Sequence, residues 1–431
     1  MLAGFQTVNI TPPIGFSLSG FVERDHGSEG IRDDLYARAM VIGNGRAKVS
    51  IVTSDLGGVS LELTNYIREK VSRLTDIPAG NIMITGSHTH SGPQIRRRSG
   101  LLNAPEPQQS EQEKAYTLNL CECIAGAIIA ANAKLSPVLL GVGVGHLRGL
   151  GANRRDPNGY FDDRVTVLKI IDPTGEIRGA LVNYTCHPTI LDYRNYLISG
   201  DYPSYTQQAL ETLYPNCTPM FLQGAAGDVS TRHTRRSSTF EEAKRMGHLL
   251  AGTVVRILSE VACAEEDVIG TVIENIDLPR REYPDEKTSL ARLEEARENY
   301  KRLQESGAAT NVLRTAEVVL EGAQRVLDGR RLIGSGPLIS TQMQTVRIGP
   351  LVIVGVPAEL FNSIGKEIKD STDKATVVIG GYCNDSIGYV LTPDVYGESG
   401  YEAGATITGP GAAAVIREMG GKMVTTVVKS N

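Results

Sequence analysis

Short apolar, β-branched runs alternate along the chain with longer segments in which apolar residues recur at helical spacing. The first pattern is typical of buried strands, and the second of amphipathic helices. The predicted strands are 35–42, 48–54, 81–86, 138–144, 164–171, 178–185, 218–222, 266–277, 340–348, 350–356 and 375–380. The predicted helices are 60–75, 110–134, 203–213, 239–262, 286–305, 309–328, 358–369 and 409–419. This alternation predicts an α/β protein with a β-sheet core flanked by helices.

Several predicted strands are joined by turns that are too short to carry the chain across a sheet, such as Ile348-Gly349-Pro350. Short turns join antiparallel neighbours, whereas parallel neighbours need a longer crossover connection. The core is therefore predicted to be a mixed β-sheet.

Residues 284–330 differ from the rest, because they form two charged amphipathic patterns rich in Glu, Arg and Ala. They predict a helical hairpin, and helix pairs of this kind usually serve in structural packing or in an oligomer contact. We found no internal sequence repeat and no linker. We therefore expect a single domain, 1–431, with a helical hairpin insertion at 284–330, and a homo-oligomer is possible.

Composition and charge disfavour several classes of protein. The chain has 431 residues and a formal net charge of -5, and no basic stripe of the kind that binds nucleic acid. It has neither an apolar run of about 18 residues for a transmembrane segment nor a signal-peptide pattern at its start. The six cysteines are scattered without a CxxC pair, which indicates free thiols in a reducing compartment. These features predict a cytoplasmic protein.

Two predicted strands end in histidine. Residues 82–93 form an apolar strand followed by His88 and His90, which point the same way at the strand end before Gly92 and Pro93 break the pattern. A second apolar strand ends at His187, just before Pro188. Each feature alone is as typical of an ordinary histidine as of a ligand. Together they favour zinc, because imidazole suits this metal and a catalytic zinc site keeps an open position.

Three further segments place polar residues beside breaks in the pattern. Residues 221–230 run from an apolar strand through small residues to Asp228 and Ser230. Residues 352–359 form a strand, a Pro break and then Glu359, while Tyr401 lies in a Gly-rich segment. The ordinary interpretation of residues 221–230 is a turn capped by Asp228. That of Glu359 is a Glu at a helix start, and that of the segment around Tyr401 is a surface loop.

These segments, in this order, resemble the neutral/alkaline non-lysosomal ceramidase family, and the resemblance covers nearly the whole chain, as the catalytic domain only. The motifs that carry the resemblance are 8–13, 34–39, 87–93 (Ser-His-Thr-His-Ser-Gly-Pro), 227–230 (Gly-Asp-Val-Ser), 357–359 (Pro-Ala-Glu) and 401–403 (Tyr-Glu-Ala).

The resemblance implies a set of roles. It implies a zinc ion held by His88, His187, Glu359 and Tyr401. It implies that His90 faces the substrate carbonyl and that Ser230 lies in the site, either as a nucleophile or as a group that positions substrate. Arg154 matches a family Asn-Arg-Ser-Pro segment loosely, through Asn153-Arg154-Arg155-Asp156-Pro157.

The implied activity is zinc-dependent hydrolysis of the amide bond of an N-acyl compound. Zinc would activate water and polarise the carbonyl, and His90, Arg154 and the Tyr401 hydroxyl would stabilise the oxyanion. His90 or Glu402 would pass a proton to the leaving amine, and Asp228 would orient a ligand histidine.

The sequence departs from the family at some positions. Thr231-Arg232 follow Ser230 where the family commonly has Pro-Asn, and we expect neither the family's usual secretion signal nor its C-terminal β-domain in this chain. Trp is absent and aromatic residues make up 5% of the chain, so no aromatic belt for membrane docking stands out. The expected substrate is therefore a small-molecule or lipid-like N-acyl compound, and these departures favour a small soluble one over ceramide.

Three alternatives stay open at this point. A zinc-dependent esterase or lactonase would use the same residues. A metal-free serine hydrolase built on Ser230 lacks the G-x-S-x-G pattern. A non-catalytic ligand-binding or scaffold protein with a structural metal is disfavoured, because structural zinc sites are typically closed and rich in Cys.

Overall fold

The structure is a computed structural model that describes residues 1–21, 23–95, 110–308, 310–332, 336–398 and 400–429. Its strands are β1 (Leu2–Asn9), β2 (Gly30–Ile31), β3 (Tyr36–Gly43), β4 (Lys48–Ser54), β5 (Ile82–Gly86), β6 (Ser136–Pro137), β7 (Leu139–His146), β8 (Ala152–Asn153), β9 (Arg164–Ile171), β10 (Ile177–Tyr184), β11 (Leu197–Ile198), β12 (Thr218–Gln223), β13 (Val229–Ser230), β14 (Ile269–Pro279), β15 (Leu338–Ile348), β16 (Leu351–Gly355), β17 (Glu359–Leu360), β18 (Thr376–Gly380) and β19 (Tyr389–Val390). Its helices are α1 (Leu61–Leu74), α2 (Glu111–Ala133), α3 (Asp201–Leu213), α4 (Phe240–Glu260), α5 (Glu286–Glu305), α6 (Thr310–Leu332), α7 (Asn362–Lys369), α8 (Tyr401–Ala405) and α9 (Ala412–Lys429).

Three sheets of similar topology make up the core. Their strand orders are β5-β4-β3-β1-β6, β12-β10-β9-β7 and β14-β15-β16-β18. In each sheet three strands pair antiparallel, and a helix then carries the chain to a fourth strand that lies parallel to the third. The crossover helices are α1, α3 and α7, and a second helix, α2, α4 or α9, packs beside each. The predicted mixed α/β architecture is confirmed.

The repeated topology is a feature that the sequence did not indicate, since we detected no repeat in it. Strand and helix formation depends on the spacing of apolar positions rather than on residue identity. The three units can therefore share one architecture without recognisable sequence similarity.

Each large sheet is buried on both faces. In β3, Met40 and Ile42 point into an apolar centre that all three sheets share. The alternate residues Ala37, Ala39 and Val41 pack instead in the cluster that contains the buried residues of α1 and α2. Burial on both faces explains why the strands appear in the sequence as continuous apolar runs rather than as alternating ones.

Hydrogen bonds between the sheets bring the ends of their strands together. Asn384, which follows β18, donates its backbone N–H to the carbonyl of Ile84 in β5 at 2.8 Å. The side chain of Gln223, at the end of β12, donates to the carbonyl of Ser87 at 3.0 Å. Gly381 donates its N–H to the Gln223 carbonyl at 2.9 Å. The loops that follow the parallel strands of the three sheets therefore meet at one end of the core, where α/β sheets bind ligands.

Helices α5 and α6 occupy the segment that was predicted as a helical hairpin. Helix α6 lies against α8, because Gly322 faces the backbone of Gly400 and Gly404 without an intervening side chain. This contact seats the hairpin over the end of the core at which the loops meet. The division of the chain into one domain with an insertion at 284–330 stays a prediction.

One predicted helix needs correction, and one observed strand had no prediction. The helix predicted at 358–369 begins only at Asn362, because Glu359 and Leu360 form β17 and pair with β19. Glu359 is therefore a strand residue and not a residue at a helix start. Strand β1 was not predicted; its residues are only partly buried, which weakens the apolar signal.

Helix α2 is long and apolar enough, by length and composition alone, to cross a membrane. Its apolar residues, including Leu120, Ile124 and Ile128, are packed in the cluster beneath the first sheet. We therefore interpret α2 as a core helix.

The contact between α6 and α8 gives a first prediction. A Cβ at position 322 would overlap the Gly400 carbonyl oxygen, so Gly322→Ala should lower the free energy of unfolding by about 1–3 kcal/mol through overpacking. The control is Gly252→Ala in α4, where an added Cβ meets nothing within 4 Å. This control should raise stability by up to about 1 kcal/mol, because Ala favours helix more than Gly does. Urea unfolding measures both, and equal effects would contradict the predicted contact.

Candidate active site

His88 is held by the loop that follows β5. Its backbone φ is 68°, a conformation that non-glycine residues rarely adopt and that costs about 1–3 kcal/mol. Its Nδ1 lies 2.5 Å from the Gly57 carbonyl oxygen, and its ring stacks on that of Tyr382 with centroids 3.9 Å apart. Because a carbonyl can only accept, Nδ1 carries the proton and Nε2 presents a lone pair.

His187 follows β10 and is fully buried. Its Nδ1 lies 2.5 Å from the Ala226 carbonyl oxygen and 3.1 Å from that of Val229, so its Nε2 also presents a lone pair. Burial, assisted by the charge of Arg154, lowers the pKa of His187 to about 4. The imidazole is therefore neutral at physiological pH, which is the form that binds a metal.

The carboxylate of Glu359 lies between the two histidines. Its Oε2 is 3.2 Å from Nε2 of His187 and 3.4 Å from Nε2 of His88. Burial alone would raise the pKa of Glu359, but the interactions with His88 and His187 outweigh burial and hold this pKa well below its ordinary value. The backbone N–H of Glu359 donates to the Gly388 carbonyl at 2.9 Å, which fixes the strand position of the residue.

The two separations around Glu359 match those between ligand atoms of a tetrahedral metal ion. Two ligand atoms that each lie about 2.0–2.1 Å from such an ion are about 3.3 Å apart, and the separations here are 3.2 and 3.4 Å. Ligand nitrogens of His88, His90 and His187 lie within 4.8 Å of one another. Tyr401, the fourth predicted ligand, lines the cavity that His88, His90 and Glu359 also line.

His90 lies beside the cluster that His88, His187 and Glu359 form. Its Nε2 is 3.2 Å from Nε2 of His88, and its ring packs edge-on against Phe21. Within the part of the chain that the structure describes, its buried Nδ1 has no hydrogen-bond partner. Burial lowers the pKa of His90 well below its ordinary value. His90 is thus a neutral imidazole in the cavity wall, and its predicted role facing the substrate carbonyl stays a prediction.

Arg154 is buried and held by three neighbours. Its Nη2 donates to the Gly227 carbonyl at 2.7 Å and to the Tyr389 hydroxyl at 3.1 Å, and its Nε lies 2.6 Å from a carboxylate oxygen of Glu402. Glu402 also pairs with Arg155 at 3.0 Å. Arg154 therefore orients Tyr389, whose side chain borders the site.

The proposed role of Glu402 as a proton donor is disfavoured. Burial would raise the pKa of Glu402, but the charges of Arg154 and Arg155 outweigh burial and lower it. A carboxylate that is ionised and paired with two guanidinium groups holds no proton to give. Its role in the structure is to fix Arg154.

The proposed role of Asp228 is also corrected. Its Oδ1 accepts from the Asn362 N–H at 2.8 Å, and its Oδ2 accepts from the Asn153 amide at 3.0 Å. The described contacts of Asp228 include no histidine, and burial raises its pKa to about 6. The groups that orient the histidines are the backbone carbonyls, which a sequence pattern does not reveal.

Ser230 is buried on β13, which runs beside His187 and pairs with β8. Its Oγ accepts from the N–H of Arg232 at 3.3 Å. Among the described residues, no histidine contact to this hydroxyl is present. The structure brings Ser230 to the cavity wall, and none of the described residues contacts its hydroxyl as a base.

Two cavities meet at the cluster. The first has a volume of about 490 Å³ and is bordered by His88, His90 and Glu359. The second has a volume of about 420 Å³ and is bordered by Arg154 and Ser230. Both cavities are lined by Gly20, Phe21, His90, Tyr389 and Tyr401.

Helix α6 forms part of both cavity walls. Arg325 borders the first cavity, and Leu313, Glu317, Val318 and Glu321 border the second. The sequence predicted only structural packing or an oligomer contact for this hairpin. The difference arises because α6 is seated on α8, directly beside Tyr401.

The sequence missed Tyr382, Tyr389, Phe21 and Arg325. Tyr382 could have been found, because it follows an apolar strand and two glycines, as His88 follows β5. Phe21, Tyr389 and Arg325 lie in no strand-end pattern of this kind.

Comparison with known proteins covers most of the chain. Residues 2–234 and 337–417 match the sequence model of the family described as "Neutral/alkaline non-lysosomal ceramidase, N-terminal". The chain is 26% identical to the neutral ceramidase of Pseudomonas aeruginosa, over 93% of this chain and 68% of that protein. It is 24% identical to the neutral ceramidase of Mycobacterium tuberculosis, over 90% of this chain and 71% of that protein.

The fold is also similar to a solved structure. The crystal structure of the neutral ceramidase from Pseudomonas aeruginosa superposes with a TM-score of 0.73, covering 99% of this chain and 74% of that chain at 21% identity. At this identity the similarity shows a common fold. Residues 235–336, which contain α5 and α6, lie outside the family match.

The burial of His187 predicts a pH dependence of stability. An unfolded histidine has a pKa near 6.5, whereas that of folded His187 is about 4. Below pH 6.5 the unfolded chain binds more protons, so the free energy of unfolding should fall as pH falls from 6.5 to 4, by up to about 1.4 kcal/mol per unit from this residue. Urea unfolding of chelator-treated protein across this range measures the slope.

His187→Asn should flatten this slope, and His248→Asn, which alters an exposed histidine on α4, should not. An unchanged slope in the His187 variant would show that this histidine does not carry the effect.

Proposed function

Because the chain belongs to the neutral/alkaline non-lysosomal ceramidase family, we propose that it is a zinc-dependent hydrolase that cleaves the amide bond of an N-acyl compound. Family membership supports an N-acyl amide hydrolase. One observation supports the metal: the Nε2 atoms of two histidines, each with Nδ1 at a backbone carbonyl, lie 3.2 and 3.4 Å from the same Glu359 oxygen. Tyr401 is the proposed fourth ligand.

A zinc ion held there would supply a Lewis acid for the scissile carbonyl and would lower the pKa of a water molecule. The protein's own contribution is orientation. The carbonyls of Gly57 and Ala226 keep His88 and His187 in the tautomer that presents Nε2. Carboxylate, neutral imidazole and phenol are all oxygen or nitrogen donors that suit zinc.

Two residues are suited to handle protons and charge near the carbonyl. His90 is neutral and borders both cavities, so a ring nitrogen can accept a proton and pass it to the leaving amine. The Tyr389 hydroxyl accepts from Arg154, so its own proton can point elsewhere in the site and stabilise an oxyanion. Arg154 acts through Tyr389 in this proposal, and Glu402 acts through Arg154.

The cavities favour a small, polar substrate. Their volumes are about 490 and 420 Å³, and charged side chains such as Arg24, Asp192 and Arg194 line them along with polar ones. A ligand with two long alkyl chains would displace water from these charged groups without offering a hydrogen bond in its place, which is costly. We therefore propose a compact N-acyl compound as the substrate rather than ceramide.

The metal proposal predicts that His88→Ala and His187→Ala each lose bound zinc and at least about 1,000-fold in kcat/KM, because each removes one ligand. Zinc content by mass spectrometry and butanoate release from N-butanoyl amines measure the two effects. His248→Ala is the matched control, because this histidine is exposed on α4, and it should retain both zinc and activity.

Treatment with a chelator should abolish activity, and added Zn²⁺ should restore it. Full activity after complete removal of metal would refute the metal proposal and favour a serine hydrolase.

We also propose that Ser230 positions the substrate and is not a nucleophile, because no base contacts its hydroxyl among the described residues. Ser230→Ala should therefore lower kcat/KM by about 10-fold, the effect of one lost hydrogen bond. Loss of a catalytic nucleophile costs about 10⁶-fold in kcat. Ser237→Ala, at an exposed serine nearby, is the control and should have no effect. Rates near zero for Ser230→Ala, together with a trapped acyl-enzyme in the native protein, would reverse the assignment.

A further inference from the structure

Helix α6 presents a row of side chains to the site. Leu313, Glu317, Glu321 and Arg325 follow one another at four-residue spacing, which places them on one face of the helix. The first three border the second cavity, and Arg325 borders the first. The charge that the helix presents therefore changes sign between the two cavities: acidic over the second and basic over the first.

Arg325 is unusual among the residues that border the first cavity. The others that the structure describes there lie within the family-matched segments 2–234 and 337–417, whereas Arg325 lies outside them. Arg325 therefore comes from the helical hairpin segment and not from the segments that carry the histidines and Glu359. A charged side chain that borders the same cavity as His88 and Glu359 is suited to substrate selection rather than to the chemical step.

The position of Arg325 is fixed on two sides. Its guanidinium carbon lies 4.6 Å from the centroid of the Tyr401 ring, within the range of a cation–π contact. Gly322, almost one helical turn earlier, lies against the backbone of Gly400 and allows α6 to approach this closely. Arg325 is thus held beside a residue that borders both cavities.

At least one hydrogen-bond donor of the Arg325 guanidinium has no partner among the described residues. Within the described residues its buried Nε has no hydrogen-bond partner. Arg24, another arginine of the first cavity, donates instead to the carbonyls of Ser19, His90 and Asn195. A guanidinium with an unused buried donor is suited to bind an anion, and its planar fork matches a carboxylate in particular.

We infer that Arg325 is a specificity-determining residue that binds a carboxylate of the substrate, so that the preferred substrates are N-acyl amino acids. This inference rests on the proposed function, because it assigns the substrate class of the same site. The carboxylate would lie in the first cavity, under Arg325 and near Tyr401, and the amide would lie at the His88, His187 and Glu359 cluster.

The experiment compares two substrates with one common product. Butanoate release is followed from N-butanoylglycine, which carries a carboxylate, and from N-butanoylethanolamine, a neutral compound of similar size. The native, zinc-loaded protein should favour N-butanoylglycine by about 10- to 100-fold in kcat/KM, the range expected for a hydrogen bond to a charged group. N-butanoyltaurine, with a non-planar sulfonate, tests whether any anion suffices, and it should rank between the two.

Arg325→Met should bring the ratio of the two kcat/KM values close to one, and Arg325→Lys should retain part of the preference. Arg330→Met is the matched control, since Arg330 lies on the same helix but is exposed and bonded to the Pro284 carbonyl. This control should keep the native ratio. Because both substrates are measured on one preparation, partial unfolding of a variant cancels from the ratio.

The outcomes separate the two proposals. A native ratio near one, or a ratio that Arg325→Met leaves unchanged while both rates fall, would overturn the assignment of Arg325 and leave amide hydrolysis standing. Absence of hydrolysis for all three substrates, and for longer N-acyl amines, would overturn the proposed function itself.

Discussion

Hydrogen bonds from imidazole Nδ1 to backbone carbonyls are the interactions on which the site depends. Those to Gly57 and Ala226 decide which nitrogen of His88 and His187 is protonated, and therefore where the free lone pairs point. A backbone acceptor cannot rotate away or change its charge with pH. The orientation of both histidines is thus set by the loops that follow the strands, and those loops are set by the hydrogen bonds between the sheets.

The fold was largely predictable, because each of the predicted strands is observed with small shifts at its ends. Such runs are buried on both faces, so their signal is strong. The errors occurred where a tertiary contact overrides a local signal. The helix predicted at 409–419 spans Ala412–Lys429 in the structure and so continues past Gly420 and Gly421. There Gly420 lies close to Ile368 of α7, and a residue with a side chain would be crowded.

The candidate site was predictable only in part. His88, His90, His187 and Glu359 follow strand ends, and the structure brings them together. The roles considered for Asp228 and Glu402 did not survive, because their partners, Asn362 and Arg154, come from distant parts of the chain. Amphipathic spacing could show that 310–332 is a helix, but it could not show that one charged row faces a cavity rather than solvent.

The three similar sheets each contribute one group to the cluster, but these groups do not all follow the same strand of their sheet. His88 follows the fourth strand of the first sheet, whereas His187 and Glu359 follow the third strands of the second and third sheets. No sheet holds two of these groups, and His187 and Glu359 are separated by 172 positions in the chain. During synthesis, a chain that has emerged only through its first two sheets lacks the carboxylate. The complete cluster can therefore form only late in folding, after contacts of long sequence separation are made, and such contacts form slowly.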